Sequence, residues 1–141
     1  MYISNYEDLL NAANNQDQPQ RMLFVFANAE LPDEIAKSQK EQFEGRKGGN
    51  LTPVMCADKL ASELGEFAGL VKEFVPAETS WNIVFVAGMS GKSGIAPSSK
   101  DAEQYLKGMD QSVKDGNIGG FIAFNREGVL VQLLPPDKTV I

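Results

Sequence analysis

Six consecutive apolar residues, Met22-Leu23-Phe24-Val25-Phe26-Ala27, set the strongest constraint in this chain. A surface helix or half-exposed strand shows a polar residue every second to fourth position, whereas this run shows none. Six residues is strand length, and a strand apolar on both sides must be covered on both sides. The run therefore reads as a buried strand. Trp81-Asn82-Ile83-Val84-Phe85-Val86-Ala87 repeats the pattern and is the clearest strand signal in the sequence.

Covering layers come from helices. Ser4 and Glu7 match capping-box spacing, and Tyr6, Leu9, Leu10 and Ala13 make one apolar face, which predicts a first helix from about Asn5 to Asn14. Pro32 opens a polar helix ending near Gly45, with Ile35, Ala36 and Phe43 as its thin apolar stripe. Asp58 reads as the cap of a third helix, because Leu60, Leu64, Phe67, Val71 and Phe74 recur at helical spacing until Pro76. Ser98 or Ser99 caps a fourth, with Ala102, Tyr105, Leu106, Met109 and Val113 inward and Gly116 at its end. Between them, Leu51 to Met55 reads as a strand in which Pro53 implies an edge or irregular position. Phe121 to Phe124 and Val129 to Leu133 flank Asn125-Arg126-Glu127-Gly128 as a hairpin, and Pro135-Pro136 ends the last strand.

The order is αβαβαβαββ within one α/β domain covering residues 1–141. Strands separated by helices imply right-handed crossovers, hence a mostly parallel, mixed sheet of four or five strands with helices on both faces. The expected core is Phe24, Phe26, Val84, Phe85, Val86, Phe121 and Phe124. At 141 residues the chain is long enough for one real core without staples. The glycine-rich stretch Gly45-Arg46-Lys47-Gly48-Gly49-Asn50 is too short to divide domains and reads as a loop.

Composition narrows the chemistry. The chain contains no histidine and one cysteine, so Ser-His-Asp and Cys-His catalysis, an intrachain disulfide and thiolate/imidazole zinc sites are excluded. Nineteen acids against thirteen bases give a net charge of −6, the wrong sign for a phosphate-backbone binder. The N-terminal residues lack the basic and apolar regions of a signal peptide, and no apolar run approaches bilayer length. The expectation is a cytoplasmic protein without membrane or nucleic-acid partners.

Two places could carry function. Gly88-Met89-Ser90-Gly91-Lys92-Ser93-Gly94 follows a buried strand and contains Gly-Lys-Ser, but Val86 stands where the phosphate loop needs its first glycine. Pro97 also delays the following helix beyond the lysine, so its N-terminus cannot meet a phosphate there. What remains is either a solvated loop or a small-anion site built from Ser90, Gly91, Lys92 and Ser93. Cys56 is the second place. An apolar setting would leave it an inert packing residue, whereas exposure near a helix N-terminus and Lys59 would activate the thiolate. The carboxylate pairs Glu30/Asp33 and Glu63/Glu66 read as solvated helix ends, and Thr139-Val140-Ile141 is a short tail of the carboxylate-capture type.

Two resemblances add to this. Arg21 to Phe43 and Gly120 to Val131 resemble the central unit and closing hairpin of thioredoxin-like domains, which implies that fold. Asn28-Ala29-Glu30-Leu31-Pro32 stands where that family has its paired cysteines, and Ile118-Gly119-Gly120 where it has a cis-proline. The resemblance therefore implies no oxidoreductase activity. Along nearly its full length the chain also resembles a family of small bacterial proteins labelled "ribonucleotide reductase subunit alpha". The residues are Gln20 to Ala27, Leu51 to Cys56, Ile83 to Ala87, Ala96-Pro97-Ser98-Ser99 and Ile118 to Phe121. A reductase large subunit needs a radical-forming cysteine and a redox pair, which one cysteine cannot supply. The resemblance names a family and implies no mechanism. The resulting expectation is a non-catalytic binding or regulatory module with a protein partner and no cofactor. The alternative is a small enzyme, or an anion- or phosphate-ligand-binding protein using the 88–94 loop.

Overall fold

Residues Met22 to Ala27 are all buried at the centre of β1 (Gln20–Ala29), as a run with no polar side requires. The computed structural model describes residues 3–29 and 51–131. The expected helix over 32–45, the loop over 45–50, the Glu30/Asp33 pair and the tail over 139–141 lie outside the described residues.

The remaining elements are α1 (Tyr6–Asn14), β2 (Leu51–Leu60), α2 (Phe67–Phe74), β3 (Ile83–Ser90), α3 (Ser99–Asp115), β4 (Ile122–Phe124) and β5 (Leu130–Val131). A single 3-10 turn, Ala61–Glu63, links β2 to α2. The strands form one sheet in the order β2-β1-β3-β4-β5, with β3 at its centre.

Every pairing in that sheet is antiparallel, which overturns the expected mostly parallel sheet. The crossover argument gives the right direction for one pair of strands only. β2 and β3 are both antiparallel to β1, so they run in the same direction, as strands joined through a helix should. However, β1 lies between them and takes the hydrogen bonds of both. Direction fails as well in the other two cases: β3 and β4, joined through α3, pair antiparallel, and so do β1 and β2, between which a helix was expected. After α3, a turn closed by the Phe121 amide on the Ile118 carbonyl precedes β4, which pairs antiparallel with β3. With no parallel ladder among the described strands, the expected thioredoxin-like arrangement loses its support.

Alternation along β1 divides the core between two layers. Met22, Phe24 and Phe26 join Val84, Val86, Phe124 and Trp81 under α1 and α2, through Tyr6, Leu9 and Leu70. Leu23, Val25 and Ala27 join Ile83 and Phe85 under α3, through Ala102, Met109 and Val113. Helices on both faces are thus borne out. The expected core residues are buried except Phe121, which is half-buried against Phe85. Burying a side chain the size of Phe24 or Phe26 contributes about 1.5–3 kcal/mol.

Local chemistry corrects several boundaries. Asn5 caps α1 by accepting from the Asp8 amide at 2.8 Å, and Asp8 reaches back to the Ser4 amide and hydroxyl. The anticipated Ser4/Glu7 box is therefore shifted by one residue. Those two Ser4 bonds hold Asp8 below its ordinary carboxylate value. Asp58 caps no helix. It lies in β2, which runs five residues further than expected, and only Phe67–Phe74 of the third periodic segment is α-helical. Pairing with β1 holds Asp58, Lys59 and Leu60 extended, opposite Leu23, Met22 and Arg21. Tyr105 points outward from α3 instead of into the core. The Ser98 capping box on α3 and the Asn125–Gly128 turn, with Gly128 at φ +78°, match their expectations. Pro53 does sit on an outer strand: among the described residues β2 pairs only with β1. Beside Pro53, Val54 is the extra residue of a bulge, since Met55 faces Phe26 and Pro53 faces Ala27.

Candidate functional site

The segment over 88–94 is partly strand. Gly88, Met89 and Ser90 continue β3 opposite Met22, Arg21 and Gln20, so the loop begins only at Gly91. Lys92 and Ile95 then exchange two backbone hydrogen bonds of 2.9 Å around Ser93 (φ +53°) and Gly94 (φ +80°). Positive φ at both central residues gives a tight turn of the primed hairpin type. Its base is tied to the segment before β1. The Gly91 amide donates to the Pro19 carbonyl at 2.8 Å, and the Gly94 amide donates to Gln18 Oε1 at 2.8 Å. The Gln20 side-chain amide donates to Ser90 Oγ at 3.0 Å.

The four candidate anion-site residues therefore differ in setting. Gly91 is buried, whereas Ser90, Lys92 and Ser93 are exposed. The amides of Gly91, Lys92, Gly94 and Ile95 donate to acceptors within the protein. A phosphate loop works by presenting such amides to its ligand. Here the segment exposes Lys92, Ser93 and Ser90, and of these the Ser90 hydroxyl already accepts from Gln20.

Cys56 lies within β2 opposite Val25, not beyond the strand end. Its thiol faces Asp110 of α3, with Sγ 3.7 Å from Asp110 Oδ1, and Asp110 is also 3.3 Å from the Lys114 ammonium. The residue is exposed at the surface. Loss of solvent around the thiol, first, and the Asp110 carboxylate, second, push its pKa up to about 11, against a smaller opposing effect of Lys114. Lys59 supplies none of the activation considered for it. Strand alternation turns Lys59 to the other face, where it bonds Glu73 at 2.7 Å and stands over the Phe74 ring. The thiol is thereby held protonated, the unreactive form.

A third constellation was not singled out in the sequence. The Arg21 guanidinium bonds Asp58 at 2.5 Å and the Pro97 carbonyl at 2.7 Å, and the Ser99 hydroxyl meets both Asp58 carboxylate oxygens at 2.9 and 3.1 Å. Both members of the ion pair are largely shielded from solvent. These bonds fasten the start of β1, the end of β2 and the N-terminus of α3 to one another. Sequence separations of 37 to 76 residues leave no local signal for such a cluster.

Among the described residues, no three His, Cys, Asp or Glu side chains converge as a metal site, and no helix is long and apolar enough to cross a membrane. Comparison of the chain with family models, curated proteins and solved structures finds no match.

Proposed function

We propose that this chain acts by binding, as a non-catalytic adaptor or regulatory module whose partner is another protein. The observation that carries this reading is the internal engagement of several chemically versatile groups among the described residues. Arg21, Asp58 and Ser99 close on one another, the Cys56 thiol is held protonated beside Asp110, and four amides of the 91–95 turn donate to acceptors within the protein. A catalytic group must be free to exchange a proton or attack at working pH. The net charge of −6 favours a protein partner over a nucleic acid. A cytoplasmic setting and action without a bound cofactor belong to the same proposal.

The test begins with cross-linking capture of partners from native lysate and proceeds to titration calorimetry of each purified candidate. Saturable binding at fixed stoichiometry, without conversion of any component, is the expected result. Turnover of a captured small molecule would overturn the reading.

Exposure of Lys92 and Ser93 on a firmly tied turn favours a second reading, an anion- or phosphate-ligand site at Ser90, Gly91, Lys92 and Ser93. Thermal-shift measurements with nucleotides, sugar phosphates and simple anions separate the two. A ligand at 100 times its Kd stabilises by about 2.7 kcal/mol. Such a gain, abolished by Lys92→Ala, would put the second reading first.

A further inference from the structure

We draw no further inference here: the strongest candidate, the outer edge of β2 with its bulged and exposed Val54, carries nothing because nothing in the structure shows what covers it.

Discussion

Gly91 and Ile95 approach so closely that a Cβ on Gly91 would lie 2.2 Å from the Ile95 carbonyl oxygen. The obstructing atom is backbone, and the same carbonyl accepts the Lys92 amide that closes the turn. It cannot swing aside as a side chain would. Gly91→Ala should therefore open the turn and destabilise the protein by about 1–3 kcal/mol, the usual cost of forcing atoms into a packed site. Urea denaturation checks this, and an unchanged midpoint would contradict the close approach.

Gly108 presents the opposite case. It lies inside α3, is exposed, and outside the adjoining backbone of that helix a Cβ there would meet nothing within 4 Å. Alanine restricts the unfolded chain and suits a helix, so Gly108→Ala should stabilise by about 0.5–1 kcal/mol. A rise in melting temperature of roughly 2–6 °C is expected for a chain of this size. A fall would mean that the α3 surface at this point is not open.

The Arg21–Asp58 pair between β1 and β2 and the Lys59–Glu73 pair between β2 and α2 should differ in value. Arg21 and Asp58 have side chains 15% and 16% exposed, whereas Glu73, the partner of Lys59, is 47% exposed. Arg21→Met leaves a shielded carboxylate without its cation and releases Pro97, so a loss of about 1.5–3 kcal/mol is expected. Lys59→Met breaks a solvated pair worth about 0–1 kcal/mol. Equal losses in parallel denaturation curves would refute a special role for the Arg21 cluster.

Periodicity over Met22–Ala27 and Ile83–Ala87 revealed which strands are central because burial on both faces removes every polar residue, a purely local signature. Helix-end chemistry at Ser98 and turn chemistry at Gly128 were legible for the same reason. Strand adjacency was not. Nothing near Leu51 or Ile83 states that β1 will stand between their strands, since that choice follows from packing across the whole sheet. The helical spacing from Leu60 to Phe74 misled because Leu64 and Phe67 reach the same core layer while Leu60 stays in the strand. At the candidate sites, sequence marked Cys56 and the 88–94 segment but concealed Asp110, Gln18 and the Arg21 cluster. Their partners arrive from distant elements.

Tyr6 should make the protein sensitive to alkali. It is almost wholly buried, its hydroxyl donates to the Gly65 carbonyl at 3.1 Å, and burial pushes its pKa from 10.0 to about 12. Because the folded value exceeds the unfolded one, the unfolded chain loses this proton first as pH rises. The associated stability is complete below about pH 10 and disappears as pH climbs through about 12. Tyr6→Phe should flatten that decline while costing about 0.5–1.5 kcal/mol at neutral pH for the lost hydrogen bond. Unfolding free energies across the alkaline range provide the check, and an unaltered slope would refute it.

Cys56 offers the most direct measurement of a candidate group. Moving a thiol from 9.0 to about 11 lowers its thiolate fraction about a hundredfold at neutral pH, and the thiolate is the form that reacts. Native alkylation by a small reagent should therefore be slow although the residue is at the surface, and should accelerate in denaturant. Asp110→Asn removes the neighbouring negative charge but leaves the local burial in place. It should raise the native rate while leaving it below that of the unfolded chain, because burial is the larger cause. The native rate should also keep rising with pH until about 11. Native labelling faster than in the unfolded chain would require an activated thiolate. Asp110 would then have to be displaced from the thiol, and Cys56 would become a reactive centre in place of a quiet strand residue.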